Sequence, residues 1–235
     1  MGIAVCRAVA LSVLLFALPH VHSKGVSRIG MYEYYDQFQD IAKAFNSSKF
    51  YWVYASNYNN RKLEDKSCVS LSVRDLSESG MNFSTGYIEA RESKEKNHTG
   101  TFYVSWPVIK NNVEVKRNTS NAVFIQPKPD EIIDATNFSL LYSNYKDCII
   151  LLVLNEDIKE AQFRPESMER LATQCVVLLS DSKARTGISA ALHPTDVCQQ
   201  QYYNACIKYK KEDNEHKQHF NASCKSPEIT PMPAC

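Results

Sequence analysis

The 235-residue chain carries 27 Lys and Arg against 26 Asp and Glu, a formal charge of +1, so it lacks the basic excess of a nucleic-acid binder. Seven glycines exclude a glycine-rich repeat, no internal period is visible, and 13 Tyr with 10 Phe suffice to fill a core or line a cavity. A chain of this size suits one β-barrel or sandwich domain.

At the N-terminus, Arg7 precedes the apolar run Ala8 to Leu18, and Val21-His22-Ser23 ends in the small residue that signal peptidase prefers. The run spans 11 residues, short of the roughly 20 that cross a bilayer. Residues 1–23 are therefore expected to be a secretory signal, whose removal takes out Arg7 and brings the formal charge to zero. No later segment is long and apolar enough to span a membrane. The expected product is exported and extracellular, with one domain over 24–225 and a Pro-containing tail over 226–235.

Phe38, Ile41, Ala42 and Phe45 recur at helical spacing, predicting a short amphipathic helix over Asp36 to Phe45. Phe50 to Ser56 and Ser67 to Val73 are aromatic or β-branched enough to be strands, and the polar turn between them makes a first hairpin. Further strands are expected at Phe83 to Glu89, Gly100 to Trp106, Ala122 to Gln126, Thr136 to Tyr142, Asp147 to Leu154 and Cys175 to Ser180. The run Tyr142 to Asn155, YSNYKDCIILLVLN, joins two of these in one hairpin with Cys148 at its middle. A long charged connection follows from Asp157 to Thr173, with a helix expected at Pro165 to Leu171, and a C-terminal helix is predicted at Asp196 to Lys211.

Eight strands between two helices constitute the pattern of a mainly β, eight-stranded antiparallel up-and-down barrel that holds a ligand. A two-sheet sandwich is the alternative. Closure favours the barrel because it leaves no exposed edge strand. Asn46, Asn82, Asn97, Asn118, Asn137 and Asn221 each begin a glycosylation sequon, so each is expected on an accessible loop or outward strand face. Asn137 is the doubtful member, since it opens a strong strand.

No G-x-S-x-G elbow, H-E-x-x-H zinc motif or phosphate-cradling glycine loop is present, so the reading is non-enzymatic, with no cofactor. His216 and His219 lie three apart near Glu212, Asp213 and Glu215, but a solvated helix end explains them better than a metal site. Lys208, Lys210 and Lys211 are followed by acids and read as a soluble face. By strand parity Trp52, Tyr54 and Tyr58 share one face, and Phe102, Val104 and Trp106 share another. With Phe124, Phe138, Leu140 and Tyr142 they form the set expected to line the interior, either around a ligand or as plain core packing. Seven cysteines remain beyond the signal, and their pairing is not fixed by the residues alone.

Gln39-Asp40-Ile41-Ala42-Lys43 and then Tyr54 to Val69, with Lys66-Ser67-Cys68-Val69, resemble the Q-D-A-W-K helix and the first hairpin of the tick salivary lipocalins, the histamine-binding-protein group. Tyr142-Ser143 leading to Cys148 resembles its Y-S-[DN] segment and following cysteine, while Cys175 to Ser180 and then Cys198 stand in the place of its C-E-L-W strand and next cysteine. The resemblance implies a lipocalin barrel with Cys148 joined to Cys198 and Cys68 to Cys224. Cys175, Cys206 and Cys235 then allow one pair and leave one odd thiol, either capped or linking two chains; the molecule is otherwise expected to be a monomer.

In the family, acids inside the barrel bind amines, because a buried ammonium needs a carboxylate partner. Here the corresponding positions carry Ile149, Val176, Phe138 and, approximately, Arg61. The resemblance therefore implies a secreted scavenger of a small host mediator, with an eicosanoid, fatty acid or sterol favoured over histamine or serotonin. The alternative is a lipocalin that engages a host immune protein through its loops, above all Asp157 to Thr173. Neither reading involves nucleic acid or a membrane.

Overall fold

The computed structural model describes residues 29–58, 61–126, 137–154, 174–187, 196–207 and 216–226. The expected signal, the connection Asp157 to Thr173, residues 208–215 and the tail after Ser226 lie outside the described residues.

The predicted first helix divides in two. A single turn, α1 (Glu33–Asp36), is followed by α2 (Ile41–Asn46). Asp40 is the reason for the break: it sits in extended backbone as the N-cap of α2, where its carboxylate accepts from the Lys43 amide at 3.0 Å. Ile41, Ala44 and Phe45 form the buried face at i, i+3 and i+4.

The strands are β1 (Phe50–Ser56), β2 (Lys66–Ser77), β3 (Gly80–Glu89), β4 (Glu92–Tyr103), β5 (Val108–Lys110), β6 (Val113–Val115), β7 (Ala122–Ile125), β8 (Asn137–Ser143), β9 (Cys148–Val153), β10 (Cys175–Leu179) and β11 (Lys217–Gln218). Eight of them pair antiparallel in the order β1-β2-β3-β4-β7-β8-β9-β10, and β10 returns to β1 with Trp52 opposite Leu179. That closure makes a barrel and excludes the sandwich. β5 and β6 form a separate small hairpin, and β11 adds two residues to β1 at Ala55 and Ser56, beyond the Phe50–Trp52 stretch that pairs with β2.

β4 differs most from expectation, running from Glu92 to Tyr103 rather than from Gly100 to Trp106. Glu92 to Glu95 are exposed on both faces and so show no alternation, yet they pair residue for residue with β3. The β3–β4 turn places Ala90 and Arg91 at φ 51° and 70°, the backbone of a type I′ hairpin built without glycine. Two C-terminal elements complete the fold, α3 (Asp181–Thr186) and α4 (Val197–Tyr202), the latter continuing as a π-helical turn over Tyr203–Ile207.

Two hydrophobic clusters lie on opposite sides of the barrel wall. One takes members from α2 and from every barrel strand, and is the interior. The other lies outside β1 and β8–β10, beneath α3, α4 and the segment containing Phe220. β9 shows why both exist: Ile149, Leu151 and Val153 enter the interior while Cys148, Ile150 and Leu152 enter the outer layer. A strand covered on both faces is apolar throughout, which accounts for the unbroken run CIILLV.

Among the described residues, three disulfides fasten the outer layer. Cys68–Cys224 ties β2 to the C-terminal segment and Cys148–Cys198 ties β9 to α4, the two pairs implied by the family resemblance. Cys175–Cys206 joins β10 to the turn after α4. Each restricts the unfolded chain and stabilises the fold by about 2 to 4 kcal/mol. Asn57 reinforces the third: its side chain accepts from the Cys175 amide at 2.7 Å and donates to the Cys206 carbonyl at 2.6 Å. Cys235 lies outside the described residues.

The base of the barrel is closed by a buried polar knot. Gln39, fully buried, donates to the carbonyls of Ile29 at 3.0 Å and Leu141 at 2.9 Å. Arg117 donates to Trp106 O at 2.7 Å, Asp36 Oδ1 at 2.6 Å, Gln39 Oε1 at 2.8 Å and Gly30 O. Burial lowers the Arg117 pKa from its ordinary value, and Asp36 opposes that fall.

Candidate ligand-binding cavity

Inside the barrel the strands enclose a cavity of about 80 Å³. Phe45 of α2 meets it from the base end, Tyr58 and Leu63 lie beyond the other end of β1, and its wall includes Leu71, Met81, Phe83, Val123 and Ile125. Phe138, Leu151, Val176 and Leu178 complete the side formed by β8–β10. Among the described residues, only Tyr58 and Thr85 bring a side-chain oxygen to this lining, and no charged residue belongs to it.

Of the expected interior residues, Tyr58 and Phe138 line the cavity, while Phe102 and Leu140 belong to the interior cluster without reaching it. The other placements are corrected. Trp52 and Tyr54 do share a face, but it is the outer one: Tyr51 and Val53 point inward, and Trp52 donates to Asp181 Oδ1 at 2.8 Å and packs on Phe220 at 5.2 Å between rings. Alternation fixes which residues are together; where both faces are apolar it does not say which is inside. Tyr142 leaves the interior because a bulge between Leu140 and Tyr142 reverses the parity, sending Leu141 and Tyr142 together to the outer cluster.

Trp106 lies past the end of β4, packed at the base over Gly30, where an added Cβ would come within 3.0 Å of its ring. Val104, also beyond β4, is 40% exposed. Phe124 points outward between the interior residues Val123 and Ile125 and is partly exposed. Among the sequons, Asn46, Asn82, Asn97, Asn118 and Asn221 are exposed. Asn137 is buried, and its side-chain oxygen accepts from the Tyr103 hydroxyl at 3.2 Å, so the expected accessibility is overturned there.

Three of the positions that resemblance marks for amine-binding acids do face inward. Ile149 is fully buried in the interior cluster, and Val176 and Phe138 line the cavity. The Arg61 side chain lies outside the described residues.

Thr85 and His98 are interior polar residues that the sequence reading missed. His98 is 3% exposed; its Nε2 lies 2.7 Å from Thr85 Oγ1 and its ring stacks on Phe83 at 4.9 Å and 24°. Alternation with Gly100 and Phe102 would have found it had β4 been extended towards Glu92. His219 is a different case, buried under the C-terminal segment with Nε2 3.0 Å from Ser56 Oγ. Desolvation, with Lys217 and His216 nearby, lowers its pKa to about 4. Among the described residues no group of three or more His, Cys, Asp or Glu is placed to hold a metal, and no helix is long and apolar enough to cross a membrane.

Comparison with known families decides the classification. Residues 30–226 match the family model of the tick histamine-binding protein. The chain belongs to the tick histamine-binding protein family. No curated protein matches by sequence. Similar solved structures include AM182 in complex with serotonin, at TM-score 0.46 and 10% identity over 79% of this chain and 92% of that one. Japanin from Rhipicephalus appendiculatus, bound to cholesterol, is similar at TM-score 0.42 and 9% identity over 70% of this chain and 90% of its own. The cockroach allergen Per a 4 is similar at TM-score 0.36 and 11% identity, over 61% and 70%.

Proposed function

We propose that this family member binds one narrow apolar molecule in its barrel, of the fatty-acid or eicosanoid kind, and acts by sequestering it rather than transforming it. One observation carries the reading: no charged residue lines the described cavity. A buried ammonium there would lose its hydration without gaining a carboxylate, whereas a hydrocarbon chain gains about 25 cal/mol per Å² of apolar surface removed from water.

Volume separates the apolar candidates. At about 80 Å³ the cavity is smaller than the roughly 300 to 1,000 Å³ clefts that enclose drug-sized ligands. A flexible chain can thread such a space with small side-chain movements, while a rigid sterol needs the wall to open. The signal-like segment 1–23, the three disulfides and the family membership support an extracellular role in removing a host mediator at a feeding site.

Native mass spectrometry of the purified protein with histamine, serotonin, a leukotriene, a long-chain fatty acid and cholesterol tests the reading. A one-to-one complex with the fatty acid or leukotriene is expected. Retention of histamine alone, or of no member of the panel, would refute it.

A further inference from the structure

The Thr85–His98 pair sets a neutral polar group in the β3–β4 wall of the described apolar interior, where Tyr58 supplies the other side-chain oxygen of the lining. Thr85 lines the cavity, and His98 stands diagonally across the β3–β4 ladder, two residues from Thr85's partner Lys96 and directly opposite Phe83. Burying an imidazole and a hydroxyl in such surroundings is costly unless they bond to each other, as they do at 2.7 Å. A hydroxyl offers one donor and two acceptor sites, so the bond to His98 leaves Thr85 Oγ1, on a residue that lines the cavity, with further hydrogen-bonding capacity.

The direction of the His98 bond sets the form of that capacity. When Nε2 carries the proton, Thr85 accepts from His98 and its own proton can be given to a ligand oxygen. In the other tautomer Thr85 donates to Nε2, and its lone pairs can accept from a ligand hydroxyl. Stacking on Phe83, which itself lines the cavity, holds the ring in place for either arrangement.

Resting on the apolar-ligand reading above, we infer that Thr85, backed by His98, is the polar anchor of the cavity, and that the ligand is a single-chain amphiphile with a hydroxyl or carboxyl oxygen. The chain lies among Leu71, Phe83, Ile125, Phe138 and Leu178, and the oxygen meets Thr85 Oγ1. Thr85 and His98 are thus specificity-determining residues that select an oxygenated chain over a bare hydrocarbon and over an amine.

Competition against a fluorescent polyene fatty acid, using decan-1-ol, decanoic acid, decylamine and decane as probes, tests the inference. The unaltered protein should prefer decan-1-ol and decanoic acid. Thr85→Val should weaken both by about five- to tenfold, the worth of one hydrogen bond, leave decane unchanged, and be rescued by Thr85→Ser. In the unaltered protein the imidazole NMR signals of His98 should move with decan-1-ol and stay in place with decane, which guards against a Thr85→Val variant that fails to fold. Equal loss for decane, or His98 signals insensitive to the ligand oxygen, would overturn the anchor while leaving apolar binding intact. If no probe displaces the polyene and the polyene itself does not bind, both the anchor and the apolar-ligand reading fall.

Discussion

Replacing Arg117 with methionine should loosen the base of the barrel without altering the cavity. The guanidinium is completely buried and donates to four acceptors, three of them neutral: the carbonyls of Trp106 and Gly30 and the side-chain oxygen of Gln39. The fourth is the carboxylate of Asp36. Methionine fills much of the space but donates nothing, and each buried acceptor left unpaired costs about 1 to 3 kcal/mol before relaxation. Water entry and repacking recover part of this, so the net loss should resemble that of a broken buried ion pair, about 3 to 5 kcal/mol. Arg117→Lys should fall between the two proteins, because a single ammonium cannot fork to four acceptors. Urea unfolding at neutral pH gives the comparison, with ligand affinity measured below the transition. A destabilisation under about 1 kcal/mol, or a large loss of affinity in the folded variant, would refute the claim that this knot holds the base and nothing else.

Three further outcomes follow from the same geometry. Val176→Asp puts a carboxylate against Phe138 and Leu178, so its thermal stability should fall by several kcal/mol at pH 8 and recover at low pH, where the acid is neutral; the same melting temperature at both pH values would show that Val176 does not face a dry interior. His219 has its folded pKa depressed from 6.5 to about 4, so its contribution is complete above pH 6.5 and is lost as pH falls through about 4, worth roughly 3 kcal/mol; His219→Asn should flatten the pH dependence of urea unfolding across that window. The chain's two tryptophans, Trp52 and Trp106, both lie outside the cavity, so a non-absorbing ligand such as decanoic acid should leave the tryptophan emission maximum in place.

Strand positions were legible because turn residues and β-branched runs mark them independently of tertiary contacts. Seven of the eight barrel strands formed close to where expected, β4 starting well before its expected Gly100, and the order of connections left closure as the natural solution. Facing was less legible. Trp52 and Tyr54 obeyed parity but not its assumed phase, since β1 is apolar on both sides, and the bulge at Leu141 moved Tyr142 across the wall with nothing in the local sequence to announce it. Polar partners were the least legible. Arg117 and Gln39 meet across 78 residues, and Thr85 and His98 meet only once the β3–β4 register is known. The family resemblance supplied the Cys68–Cys224 and Cys148–Cys198 pairs, which spacing alone leaves open.

The central claim is that the barrel selects an apolar chain and not a charged amine. A displacement titration measures this directly: a fluorescent polyene fatty acid is bound to the protein, and histamine and an unlabelled fatty acid are added separately. Saturation at one polyene per chain is expected, with full displacement by the fatty acid and none by histamine. Displacement by stoichiometric histamine, with the fatty acid inert, would contradict it.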